Sequence, residues 1–225
     1  MKDFLKRYKH AWILAYMFIY FAWFFALEAA ITTNYTSMHC RLDDLIPFSE
    51  WFIIPYYLWF PLVAITVAYL LFTSKKEYYK CCSFLFIGMT ICLLIYTIWP
   101  NGQNLRPDLA TLGRDNIMIR AISKLYAADT NTNVCPSIHV YNTIGILIAI
   151  FHNEKLKQTR WMKYTSLILG LLICLSTVFL KQHSVIDGIC AIILAAIMYV
   201  IVYIPDYSRI VNRYKSQKML VNRIE

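Results

Sequence analysis

Charged side chains are scarce in this sequence: 16% of its 225 residues, against about a quarter in a soluble domain. The shortage weighs against an ordinary globular domain. So does the grouping of the 59% apolar residues into long blocks with little amphipathic period, which reads as lipid-facing helix. A basic stripe is missing too. The formal charge of +9 is spread in short clusters between apolar blocks, a membrane-topology pattern rather than a nucleic-acid face. The seven cysteines have neither zinc-ligand spacing nor a disulfide framework. Most sit inside apolar blocks, where Cys behaves as a small hydrophobe. There is no internal repeat and no low-complexity tract. The first apolar block lacks a small-residue cleavage site and five more blocks follow, so it is predicted to be a span rather than a signal peptide.

What is present is a set of six apolar stretches near the 20 or so residues that cross hydrocarbon: 11–32, 52–73, 81–99, 138–153, 163–181 and 184–204. They predict an all-α membrane protein, a single six-transmembrane-helix bundle over residues 1–225. Lysine and arginine set its direction. Lys2, Lys6, Arg7 and Lys9, the 74–80 turn, the 154–163 turn and the tail from Arg209 to Arg223 hold sixteen of the 22 basic residues. By the positive-inside rule these segments are cytoplasmic, and so are both termini. Arg41, Arg106, Arg114, Arg120, Lys124 and Lys181 fall on the other side, as does the long 100–136 connection. Within that loop Ile117, Met118, Ala121, Ile122 and Leu125 recur at helical spacing. They predict either a helix in the membrane interface or one packed on the bundle. Cys40 and Cys135 share this side, either as a disulfide or as two thiols. Glu28, near a span end, is expected to reach water.

Ionisable groups at membrane depth are costly and mark functional candidates. His139 opens span four, and His183 and Asp187 open span six. The last two are four residues apart, so on a helix they share a face. A carboxylate there fixes the imidazole tautomer and makes the other ring nitrogen a better nucleophile. Pro136 suits a first helical turn, so a helix opening near it would turn free backbone N–H groups toward an anion, with the Ser137 hydroxyl beside them. Arg106 and Lys181 are cations on the same side, able to hold phosphate. The topology, assigned without the histidines, puts all of these at one rim. That combination fits phosphoryl transfer through a phosphohistidine. Two other classes stay open at this point: a metalloenzyme with His139, His183 and Asp187 as ligands, and a transporter or assembly protein with no chemistry.

Pro136-Ser137-Ile138-His139, His183-Ser184-Val185-Ile186-Asp187 and Arg106-Pro107 resemble the signatures of the type-2 phosphatidic acid phosphatase superfamily. The resemblance implies that His183 attacks phosphorus, Asp187 orients and charge-stabilises it, and His139 protonates the leaving alcohol. Arg106 and Ser137 would bind phosphate oxygens, and no metal or other cofactor would be required. It also implies a membrane lipid phosphatase acting on a phosphatidate-like or isoprenyl phosphate or pyrophosphate, with its site facing the extracytoplasmic side of the cell membrane. Three positions depart from the usual pattern: Trp99 replaces a Lys, Thr177 replaces an Arg after Ser176, and Ile138 replaces a Gly. Lys181, one helical turn beyond Thr177, is the candidate substitute cation. These departures are similar to the branch containing inositol phosphorylceramide and sphingomyelin synthases, which implies headgroup transfer between lipids as the alternative activity.

Overall fold

Apolar runs bounded by capping residues govern where the helices begin and end. In this computed structural model residues 7–205 are described. Lys2, Lys6, Asp206 and the basic residues of the tail lie outside them. A 3₁₀ turn over Lys9–Ala15 leads into α1 (Tyr16–Ala30), followed by a short α2 (Arg41–Leu45), α3 (Ile53–Thr73) and α4 (Lys75–Ile98). After a connection containing α5 (Ile117–Ala128) come α6 (Ile138–His152), α7 (Glu154–Gln158), α8 (Arg160–Phe179) and α9 (Val185–Val202). Among the described residues, five segments are long and apolar enough to cross a membrane: Lys9–Ala30, Glu50–Thr73, Lys75–Ile98, Arg160–Phe179 and Val185–Val202. The Ile138–His152 helix is apolar but shorter.

Several boundaries differ from the sequence reading. The 74–80 stretch is the first turn of α4, because Ser74 accepts from the Glu77 amide at 3.4 Å and starts a new helix at once. The 154–163 stretch is likewise mostly helical. Asn153 accepts from the Lys155 and Leu156 amides at 3.1 and 2.9 Å, beginning α7. Its own amide donates to Glu77 at 2.5 Å, so the α3–α4 and α6–α7 corners are joined. Pro136 is not in the first turn of α6. Ser137 is the N-cap in extended conformation, accepting from the Val140 amide, and the helix opens at Ile138.

The shortest long helix lies at the centre. Helix α6 packs against α3, α4, α8 and α9, and its buried face includes Tyr141, Ile146 and Ile150. Its contact with α4 is an exchange of rings and hollows. The Tyr141 ring fills the space over Gly88, and the Phe84 ring fills the space over Gly145. The two rings stack at 5.0 Å, and the Tyr141 hydroxyl donates to the Phe84 carbonyl at 2.6 Å. A methyl group at Gly88 would lie 2.0 Å from the Tyr141 ring. By contrast, Leu167, Ile168, Leu171, Ile189, Ile192 and Val200 of α8 and α9 are exposed, a surface suited to hydrocarbon.

Helix α5 settles the alternatives left open for the long loop. Ile122 and Leu125 are buried in a cluster with Ile53, Tyr56 and Leu180, so this helix rests on the bundle. Arg120 faces outward and pairs with Asp115 at 2.9 Å. The loop is further fixed by a two-residue parallel pairing of β1 (Thr36–Ser37) with β2 (Asn101–Gly102). Asn101 is fully buried. Its amide oxygen accepts from the Val134 and Cys135 amides at 2.9 and 2.7 Å, and its nitrogen donates to the Cys135 carbonyl at 3.0 Å. One side chain thereby holds the chain entering α6. All seven cysteines are free, so Cys40 and Cys135 are thiols.

Candidate active site

The first turns of α6 and α9 meet at one end of the bundle, tied by the Ser137 amide donating to the Asp187 carbonyl at 3.1 Å. A tight turn delivers α9 to this position. The Gln182 and His183 amides both donate to the Thr177 carbonyl, at 2.9 and 3.0 Å, while Lys181 adopts a left-handed φ of 54°. That conformation is costly for a residue with a Cβ. It is held in place because the Lys181 ammonium donates to the Asp43 and Ile46 carbonyls, both at 2.6 Å. Burial pulls the Lys181 pKa down, with Asp43 and Asp44 opposing the shift.

Asp43 completes the junction. Its carboxylate accepts from the Ser184 hydroxyl at 2.6 Å, the Val185 amide at 2.8 Å and the Cys40 amide at 2.8 Å. It therefore serves as an external cap on α9, taking N–H groups that a helix N-terminus leaves open. Burial alone would raise its pKa, but the three bonds outweigh burial and hold the carboxyl below its usual value.

Within this frame, Asp187 is fully buried and accepts from the Ser184 amide at 2.9 Å and from His183 Nδ1 at 3.3 Å. A proton on Nδ1 serves Oδ2 and leaves Nε2 with its lone pair, while Asp187 Oδ1 is buried without a hydrogen-bond partner among the described residues. Among the described residues Nε2 has no protein partner. The His139 ring lies 5.7 Å from the His183 ring, centroid to centroid, at 60°. It is flanked by Tyr56 at 4.8 Å and Trp59 at 4.7 Å. Neither of its ring nitrogens makes a protein hydrogen bond among the described residues. His139, His183 and Asp187 are thus brought together, with Ser137 at the joint between the two helices.

The two cations differ. Arg106 stays near the pair: its guanidinium lies 4.4 Å over the Tyr126 ring and donates to the carbonyls of Tyr126, Asp129 and Thr130 at 3.2, 2.8 and 2.7 Å. It also donates to the side-chain oxygen of Gln182, next to His183. Lys181 is turned to the carbonyls of Asp43 and Ile46 instead, which take two of its three N–H donors. Trp99 caps the end of α4 and donates to Thr36 at 2.9 Å, and Thr177 is buried under the turn. Among the described residues, three buried N–H donors near the pair lack a partner: Arg106 Nε, Gln182 Nε2 and Trp59 Nε1. Each belongs to a residue in contact with, adjacent to, or bonded to a neighbour of the histidine pair. Buried polar groups seldom stay unpaired, and the Asp187 Oδ1 acceptor is unpaired beside them.

Asp129, Gln182, Tyr56, Trp59 and Asp43 were missing from the sequence reading. Asp129 is half-buried and accepts from the Tyr56 hydroxyl at 3.2 Å. Its pKa is raised, by burial first, with His183 opposing and Glu28 adding to the shift. Glu28 is half-buried instead of free in water. It accepts from the Thr130 amide at 3.1 Å, the Thr130 hydroxyl and the Asn133 side chain at 2.6 Å. No group of three His, Cys, Asp or Glu side chains among the described residues is arranged to hold a metal ion. Compared with family models, curated proteins and solved structures, the chain matches none.

Proposed function

We propose that this chain is a membrane enzyme that transfers a phosphoryl group from a membrane lipid phosphate through a phosphohistidine on His183, as its resemblance to the type-2 phosphatidic acid phosphatases implies. The observation carrying this reading is the juxtaposition of two imidazoles 5.7 Å apart, one of them fixed by a buried carboxylate. The His183 Nε2 lone pair forms the N–P bond while the P–O bond to the lipid alcohol breaks, and His139 gives that oxygen its proton. In the second half an acceptor O–H loses its proton to His139 and attacks phosphorus, and the N–P bond returns its pair to Nε2. Water as acceptor makes a lipid phosphatase. The distribution of lysine and arginine supports six spans, counting the short α6, with both termini cytoplasmic and the site at the extracytoplasmic face of the cell membrane.

A second reading, transfer of a phospho-headgroup to another alcohol, is favoured by one observation: Lys181 is bound to carbonyls, leaving Arg106 as the cation beside the histidines. A panel of lipids incubated with purified protein, measured for free phosphate and for new phospholipid, separates the two readings. His183→Ala is expected to abolish both products and the acid-labile phosphoenzyme. Retention of turnover in that variant rejects the phosphohistidine.

A further inference from the structure

We infer that a groove between α3 and α8, apart from the histidine pair, binds an anionic phospholipid from the leaflet on the lysine- and arginine-rich side of the bundle. The groove has a volume of about 350 Å³, within the range of small-ligand sites. Pro61, Ile65 and Tyr69 of α3 face Trp161, Thr165 and Leu169 of α8 across it. Ile150 of α6 and Leu156 of α7, both buried, form its floor.

The groove originates in the length of α6. Its fifteen residues span about 22 Å, against about 30 Å of hydrocarbon. The helix stops at His152 and the chain turns through Asn153 into α7. Helices α3 and α8 therefore run on without a full-length neighbour between them. At the opposite end the gap is closed, where the rings of Phe52, just before α3, and Phe179 stack at 4.3 Å.

Dimensions and charge select the occupant. From Leu58 to Tyr69 the groove follows α3 for about 16 Å, close to the hydrocarbon depth of one leaflet, about 15 Å. A partner helix would need the full depth, whereas an acyl chain needs half of it. The basic residues sit at one end. Lys155 precedes Leu156, Arg160 precedes Trp161 and Lys163 follows Met162, so three cations adjoin residues that line the groove. None of the three has a carboxylate partner among the described residues. The Lys163 ammonium lies 5.2 Å over the Phe151 ring, next to Ile150 in the floor. The 154–163 stretch holds four basic residues and one acidic residue. Basic clefts between spans recruit anionic headgroups, and Tyr69 and Trp161 are the aromatic residues expected at that level. Tyr56, Trp59, His139 and His183 do not line the groove. Ile150 is eleven residues from His139, about 16 Å along α6. The lipid is thus a resident ligand rather than a substrate.

The test is native mass spectrometry of the full-length protein from mixed micelles of phosphatidylglycerol and phosphatidylcholine with matched acyl chains. The wild type is expected to retain one phosphatidylglycerol in preference to phosphatidylcholine. Thr165→Trp fills the groove and should remove that lipid. Leu171→Trp, on the same helix but outside the groove, should keep it. Both positions are exposed, so neither change disturbs the core. Arg160→Gln and Lys163→Gln should each lower the preference roughly fivefold, equivalent to about 1 kcal/mol per basic residue at a membrane surface. His183→Ala should retain the lipid, because the inference stands apart from the phosphohistidine reading. Equal retention of the two lipids in the wild type overturns the inference. So does phosphatidylglycerol kept by Thr165→Trp or lost from His183→Ala, the results expected of a lipid held at the histidine pair. A dimer that Thr165→Trp dissociates assigns the groove to a second copy and overturns it as well.

Discussion

Replacing Asp43 tests whether a residue outside both spans holds the start of α9, just after His183, in place. In Asp43→Ala the Ser184 hydroxyl and the Val185 and Cys40 amides lose their acceptor together. Hydrogen bonds to a charged group contribute about 1.5–3 kcal/mol each, and such losses do not add fully. A cost of about 3 kcal/mol is therefore expected, or a fall of roughly 6–12 °C in melting temperature for a chain of this size. Asp43→Asn keeps one acceptor oxygen but points an N–H₂ at a donor, so it should lose about half as much. The sign of the pH dependence follows from the lowered pKa of the wild-type carboxyl. Its stabilisation is complete above the unfolded-state value of about 4 and fades as pH falls through the lower folded-state value. Melting curves in detergent from neutral pH down to about pH 3 should thus show wild type and Asp43→Ala converging on the acid side. Curves that coincide within about 1 °C at neutral pH, or a gap that stays constant into acid, would refute the capping role.

Other perturbations separate chemistry from scaffold. Asp187→Asn should lower turnover by at least about a hundredfold with little change in KM, since the buried carboxylate sets the His183 tautomer; steady-state kinetics at saturating lipid decides. Lys181→Met should lower the melting temperature and leave KM nearly unchanged, whereas Gln182→Ala should raise KM. The reverse pattern would return Lys181 to phosphate binding. Gly88→Ala should cost about 1–3 kcal/mol or more by overpacking against Tyr141, seen as a loss of folded, monodisperse protein.

The long helices were legible because a block of apolar residues has few other stable forms. The four-residue spacing of His183 and Asp187 pointed to a pair, but His183 precedes the Ser184 N-cap and lies outside the helix that carries Asp187. Boundaries were less legible. Ser74 and Asn153 restart helices where clustered lysines suggested open turns, since a single capping oxygen is enough to begin a new one. The engagement of Lys181 was not legible for another reason: its partners, the carbonyls of Asp43 and Ile46, are more than 130 residues away in the chain. No local pattern signals a carbonyl acceptor. Asp129 and Asp43 lie in a connection and in a one-turn helix, without periodicity, and became meaningful only when tertiary contacts set them beside Tyr56 and Ser184.

The ring-and-hollow exchange between α4 and α6 also restricts motion. If either helix slid by one turn, each ring would meet a residue bearing a Cβ where it now meets hydrogen, so the pair has one register and no neighbouring one to step into. Sliding of α4 along α6 is therefore unavailable to the inner bundle. Movement near the histidine pair falls instead to the α2 corner, which is tied to the turn before α9 by hydrogen bonds to Lys181, Ser184 and Val185.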